Sequence, residues 1–79
     1  MESLLEADRL FGQLAGRCRT VFDEKGAGEV TRAFEFAREH LGERCFESGE
    51  MILIHSLEVA SIILDEIGLG PDSVVAGLL

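Results

Sequence analysis

Basic residues are scarce in this 79-residue chain. Seven lysines and arginines stand against fifteen acidic residues, which gives a formal net charge of −8. A surface that follows the phosphates of a nucleic acid needs clustered lysine and arginine, so we expect no nucleic-acid partner. A small anionic ligand is not excluded, because it needs only one local pocket.

Cysteines and long hydrophobic runs are also few. Cys18 and Cys45 are far apart, and no CxxC motif or Cys/His cluster is present, so we expect two free thiols in a reducing cytoplasm. The longest mostly apolar stretch, residues 51–64, contains four polar residues and is too short to span a bilayer. The first ten residues lack the basic flank of a secretory signal. The sequence predicts a soluble protein without a membrane partner.

Apolar residues recur at helical spacing in four segments, which predicts an all-α protein. The first helix is expected from Ser3 to Phe22, beginning with a Ser3/Glu6 capping box. Two glycines in "EKGAG", residues 24–28, predict a break before the second helix, expected over residues 29–41 and capped by Gly42. Residues 43–50 are predicted to form a loop.

The third helix is expected to begin between Met51 and Ser56 and to stop at Gly68. Its apolar residues cover most of the circumference, which predicts burial between neighbouring helices. A fourth helix should begin at Pro71 and end in an uncapped apolar run. We therefore expect an N-terminal fragment of a longer protein, forming a homodimer through the third and fourth helices, with His55 near the interface. Four residues are expected to lack packing partners: Val74, Val75, Leu78 and Leu79.

His55 interrupts an apolar run, so its ring must find a hydrogen-bond partner or a ligand if it is buried. One interpretation is a core histidine bonded to a backbone carbonyl, Ser56 or Glu58. The other interpretation is a metal ligand. His40 is expected to be a solvated surface residue. Two further pairs of residues each have a structural and a functional interpretation. Glu47 and Glu50 are either part of a solvated loop or a cation site. Ser48 and Gly49 either form a turn or, on a weak signal, contact a substrate.

Residues 30–79 resemble the start of the hydrolase domain of RelA/SpoT proteins, the (p)ppGpp synthetases and hydrolases. The resemblance rests on "FEFA" at 34–37, "SGE" at 48–50, "IHSLEVASIIL" at 54–64 and "IGLGPDSVVAGLL" at 67–79. It implies a partial HD-type helical bundle of about four helices, the last one truncated, within a single domain over residues 1–79. It also implies a cytoplasmic parent protein that acts on a guanine-nucleotide alarmone.

The resemblance places His55 at the first ligand position of the family's divalent metal, usually manganese. The family's His-Asp pair would begin after Leu79, so no cofactor is expected in the fragment itself. The family has Arg-Lys before "SGE", whereas this chain has Phe46 and Glu47, which removes two cations from beside the nucleotide. These departures predict a degenerate hydrolase site in a parent that retains alarmone synthesis. The alternative hypothesis is a small acidic helical interaction or regulatory module without catalysis.

Overall fold

The computed structural model describes residues 3–66 and 70–79, and within them the chain is all-helical, as predicted. Apart from the helices, the regular backbone pairing in this part is a single antiparallel bridge between Cys45 and Met51. No helix in the described part is long and apolar enough to cross a membrane. The helices of the described part are α1 (Leu4–Val21), α2 (Glu24–Leu41), α3 (Ile52–Asp65) and α4 (Pro71–Leu78).

The predicted break at residues 24–28 is wrong, because this segment forms the first turns of α2. The chain turns at Phe22 and Asp23 instead, and the Asp23 side chain accepts a hydrogen bond from the Gly26 amide at 2.7 Å. An aspartate N-cap stabilises a helix by about 0.5–2 kcal/mol, which offsets the cost of about 1 kcal/mol that a glycine imposes. Gly26 is buried, and a Cβ there would lie 3.1 Å from the Pro71 ring.

The other helix ends follow their sequence signals. Ser3 Oγ accepts a hydrogen bond from the Glu6 amide at 3.2 Å, although the Glu6 carboxylate contacts Arg9. Gly42 caps α2 with a φ of 52°, and its amide donates to Arg38 O. Pro71 occupies the first turn of α4. The third helix ends at Asp65, and the predicted stop at Gly68 lies outside the described residues.

The core lies where α1 to α4 meet, and none of its buried side chains among residues 3–66 and 70–79 is polar or charged. The Phe11 and Phe34 rings stack across α1 and α2 with their centroids 4.1 Å apart. Charged side chains hold the same helices together at the surface: Arg38 donates to both carboxylate oxygens of Asp8, which lowers the pKa of Asp8. The buried apolar residues are Ala7, Leu14, Cys18, Val30, Ala33, Phe34, Ala37, Met51, Leu53, Ile54, Leu57, Ala60, Val74 and Leu78.

The fourth helix packs against α2 and α3, so the expectation that its apolar residues lack partners is wrong for three of the four: Val74, Val75 and Leu78. Val74 and Leu78 are fully buried, Val75 is half-buried, and Leu79 is 68% exposed. Gly77 permits this close packing, because a Cβ there would lie 2.7 Å from the Ile63 Cδ1 atom. The nearest backbone atom to such a Cβ would be Ala60 Cα at 3.3 Å, so α4 lies close to the backbone of α3 at Gly77.

The third helix is buried or half-buried around most of its circumference, as predicted, and its exposed residues lie in one stripe: His55, Glu58, Ile62 and Asp65. Leu57 and Ala60 face the core, whereas His55 is exposed and Ile62 is 64% exposed. The other faces of α3 contact α1, α2 and α4. Arg17 of α1 reaches across to α3, where it donates to Ser61 Oγ at 2.7 Å and pairs with Asp65.

Candidate functional site

His55 lies in the first turn of α3, and its amide donates to Met51 O at 3.0 Å. Its side chain is 51% exposed, so the interpretation as a core histidine is wrong. The ring is held by an acidic side chain that precedes the helix, Glu50, and not by Ser56 or Glu58. The exposed ring is therefore accessible to a ligand from solvent.

The loop before α3 folds back on itself and brings two side chains to His55. The Phe46 amide donates to Glu50 O and the Gly49 amide to Phe46 O, each at 2.9 Å, and the Ile52 amide donates to Arg44 O at 3.0 Å. Gly49 has a φ of 93°, a conformation that favours glycine. This small hairpin, residues 44–52, fixes the positions of Phe46 and Glu50 relative to the start of α3.

Two contacts orient the His55 ring. Its Nδ1 atom lies 3.1 Å from Glu50 Oε1. The Phe46 ring is perpendicular to it, at an interplanar angle of 89° and a centroid distance of 5.4 Å. Phe46 therefore occupies the space beside the histidine at a position where the resemblance expects an arginine, and the nearest ionised group is a carboxylate.

Ser48 and Gly49 form the exposed tip of the hairpin. The Ser48 hydroxyl lies 3.5 Å from the Glu50 amide, at the limit of a hydrogen bond, and Gly49 supplies the positive φ of the turn. Glu47 is exposed beside them. The structure thus gives these residues a role in shaping the turn, while their proposed contact with a substrate remains a prediction.

A divalent metal, which the resemblance implies, needs several converging ligands. Within residues 3–66 and 70–79 there is no group of three or more His, Cys, Asp or Glu side chains placed to hold an ion. Glu50 already contacts His55 Nδ1, so the ring nitrogen of His55 that could coordinate a metal ion is Nε2. The described residues do not fit a complete metal site.

The remaining candidates lie away from His55. His40 is exposed on α2, with its ring centroid 4.2 Å from that of Phe36, as expected for a surface residue. Cys18 and Cys45 are free thiols, as predicted. Cys18 is buried, and this burial raises the pKa of its thiol, whereas Cys45 is exposed.

Two shallow grooves lie outside the hairpin region. One, of about 320 Å³, runs between α1 and α3 and is lined by residues that include Leu10, Arg17 and Ile62. The other, of about 350 Å³, lies at the α1–α2 junction and includes Arg19 and Thr31. Neither groove is lined by His55, Ser48 or Gly49.

Sequence reasoning missed the pairing of Glu50 with His55. The signal was present, because Glu50 directly precedes the N-cap residue Met51, and His55 is the fourth residue of the helix. Side chains at these two positions commonly meet, as they do in the hydrophobic staple. Here the same spacing produces a polar contact.

Comparison with known proteins gives one informative similarity. The chain is 43% identical over 53 residues to a guanosine-3′,5′-bis(diphosphate) 3′-pyrophosphohydrolase from Aquifex aeolicus. The match covers 67% of this chain but only 8% of that protein. No family model and no solved structure matches the chain. The similarity supports the resemblance to the RelA/SpoT hydrolases: over two thirds of its length, the chain is similar to a short part of a (p)ppGpp 3′-pyrophosphohydrolase.

Proposed function

We propose that this chain is the N-terminal part of an HD-type hydrolase domain in a RelA/SpoT protein. The parent would act on guanosine carrying a 5′-diphosphate or triphosphate and a 3′-diphosphate, and would belong to the stringent response. The observation that carries this proposal is the 43% identity to a 3′-pyrophosphohydrolase over 53 residues. A cytoplasmic location belongs to the same proposal.

In this proposal His55 is the residue through which the chain contributes to the hydrolase site. It lies exposed in the first turn of α3, and its Nε2 atom is not used by the contact with Glu50. The further ligands for manganese would come from other segments of the parent, since the described residues supply no cluster of three. The chain by itself is therefore expected neither to bind manganese tightly nor to hydrolyse (p)ppGpp.

The surroundings of His55 favour a weakened hydrolase in the parent. Phe46 packs beside the imidazole, and Glu47 is exposed on the same hairpin. A pyrophosphate group carries several negative charges, so an aromatic ring attracts it less than a cation does, and a carboxylate repels it. Alarmone synthesis by another region of the parent, by transfer of pyrophosphate from ATP to GDP or GTP, is the second half of this proposal.

The test uses the whole parent protein with (p)ppGpp and manganese. If the hydrolase site is active, the parent should release 3′-pyrophosphate, and His55→Ala should abolish this release. His40→Ala is the matched control, because His40 is an exposed histidine on α2 and should leave the activity unchanged. Equal activity of the parent and its His55→Ala variant would refute the role of His55. A parent that synthesises alarmone but does not hydrolyse it would support degeneracy.

The second candidate is a small acidic helical module that regulates or binds without catalysis. The absence of a three-ligand cluster within the described residues favours it, together with the net charge of −8. Manganese titration of the whole parent protein separates the two: manganese-dependent (p)ppGpp hydrolysis that His55→Ala abolishes would support the first candidate, and a parent without hydrolysis at any manganese concentration would support the second. A calorimetric titration of the 79-residue chain that shows micromolar manganese binding, lost in His55→Ala, would contradict the expectation that this chain alone binds no manganese tightly.

We also propose that the chain forms a homodimer through α3 and α4. Among the apolar residues of these two helices and their ends, Ile62 and Leu79 are exposed and could form this contact. Val74 and Leu78 are buried within the chain and could not. Sedimentation at micromolar concentration measures the state of the chain. A monomer with a cooperative thermal transition would show that the four-helix core closes without a partner.

A further inference from the structure

We infer that Glu50 is a positioning residue for His55, which holds the imidazole in the tautomer with hydrogen on Nδ1 and directs the Nε2 lone pair towards solvent. The inference concerns the ring itself and does not depend on the proposed function. Its consequence for a hydrolase site does rest on the proposed function.

The chemistry of the contact assigns the tautomer. Glu50 Oε1 lies 3.1 Å from His55 Nδ1, within hydrogen-bond distance. An ionised carboxylate only accepts hydrogen bonds, so Nδ1 must donate. A neutral imidazole carries one hydrogen, which leaves Nε2 as an acceptor with a free lone pair. Nε2 can then bind a Lewis acid or accept a proton.

The backbone of the hairpin holds Glu50 next to His55, so the contact does not depend on the two side chains alone. Both side chains are partly exposed, at 51% for His55 and 39% for Glu50, and an exposed pair alone contributes only about 0–1 kcal/mol. The hydrogen bonds between Phe46 and Glu50 and between Arg44 and Ile52 hold the hairpin closed. They place Glu50 directly before the N-cap of α3, where a negative charge is also favoured by the helix dipole.

Phe46 contributes the second restraint. Its ring is perpendicular to the imidazole, an arrangement that aromatic pairs prefer, at a centroid distance of 5.4 Å. The carboxylate fixes which nitrogen carries hydrogen, and the aromatic contact restricts rotation of the ring. Carboxylates that orient a ligating histidine in this way typically change metal affinity or activity by about 10–100-fold.

The experiment measures the ring nitrogens of the 79-residue chain by long-range ¹H–¹⁵N correlation at about pH 9, where histidine rings are neutral. In the native chain we expect His55 to be mainly the Nδ1–H tautomer. Glu50→Ala should shift it towards Nε2–H, and Glu50→Gln should give a mixture, because an amide can donate to Nδ1 as well as accept. Glu47→Ala removes a carboxylate of the same hairpin and should leave the tautomer unchanged.

A native His55 that is mainly Nε2–H, or a Glu50→Ala variant with the native tautomer, would overturn the inference. Amide spectra of each variant show whether the hairpin is intact. In the parent protein, Glu50→Ala should lower hydrolysis by about 10–100-fold if the proposed function holds. A changed tautomer with unchanged parent activity would refute the role of His55 in the hydrolase while leaving the positioning of its ring established.

Discussion

Two adjacent leucines at the end of α4 have the same side chain and opposite environments. Leu78 is fully buried, and Leu79 is 68% exposed. Leu78→Ala deletes buried methyl groups that pack in the core formed by the four helices, whereas Leu79→Ala removes groups that are already in water. Because the two residues are of the same type and adjacent in the sequence, the difference in stability between Leu78→Ala and Leu79→Ala measures the contribution of burial.

The expected loss for Leu78→Ala follows from its burial. Leucine-to-alanine changes in cores cost about 2–5 kcal/mol, and the cost falls when the structure can relax into the space. Leu78 is the last residue of α4, so we expect about 2–3 kcal/mol. A domain of this length has a total stability of about 4–12 kcal/mol, so the change removes a large part of it. Leu79→Ala should change the free energy of unfolding by less than about 0.5 kcal/mol.

Urea unfolding followed by the circular dichroism of the helices measures both variants. With a slope of about 1 kcal/mol per molar urea, Leu78→Ala should lower the midpoint by about 2 M or more. Leu79→Ala should lower it by less than about 0.5 M. Equal midpoints for the two variants would refute the packing of α4 on α2 and α3. A large effect of Leu79→Ala that depends on protein concentration would instead indicate that Leu79 is covered in a dimer.

Three further predictions test other parts of the fold. Gly26→Ala should destabilise the chain by about 1–3 kcal/mol in urea unfolding, because the added methyl group crowds the start of α4. Asp8→Asn should lower the stability at pH 7 and lose this effect at acid pH, because pairing with Arg38 lowers the folded pKa of Asp8. The contribution of the pair is present above the unfolded pKa, about 3.9, and is lost as the pH falls through the folded pKa. A thiol reagent should modify Cys45 at once and Cys18 only upon unfolding, because Cys18 is buried and its thiol pKa is raised.

Each of these predictions has a control within the chain. Gly12→Ala should stabilise α1, because a Cβ there meets no atom within 4 Å; destabilisation as large as that of Gly26→Ala would contradict the crowding argument. For Asp8→Asn, a difference from the native chain that is the same at both pH values would show that the ion pair with Arg38 contributes nothing. Cys45→Ser should eliminate the rapid phase of thiol modification, and a rapid phase that persists would place Cys18 at the surface.

The helices and most of their ends could be predicted because their signals are local. The Ser3 cap, the Gly42 terminus and the Pro71 start each depend on residues within one turn of the chain. The break at residues 24–28 was predicted wrongly for the same reason. Two glycines are a strong local signal for a turn, but Gly26 lies within a helix. A Cβ there would lie 3.1 Å from Asp23 Oδ1 and 3.1 Å from the Pro71 ring, which comes from another helix.

The environment of His55 also depends on residues beyond its own helical turn, which local sequence signals do not reveal. Its position in an apolar run suggested burial, yet His55 lies on the one exposed stripe of α3. The pairing with Glu50 also depends on the hairpin, in which the bonds between Phe46 and Glu50 turn the loop back towards the helix. The candidate residue was identifiable from the sequence, but its partners were not.

The sequence by itself determined the all-α class, the caps of the helices and the acidic character of the surface, because helical periodicity, capping and charge are properties of residues a few positions apart. Tertiary structure alone decided which apolar residues are buried. Leu78 and Leu79 are identical in composition and adjacent in the chain, and only the direction of each side chain relative to α2 and α3 distinguishes them. Burial depends on the side chains that converge from distant segments, and a local pattern does not contain that information.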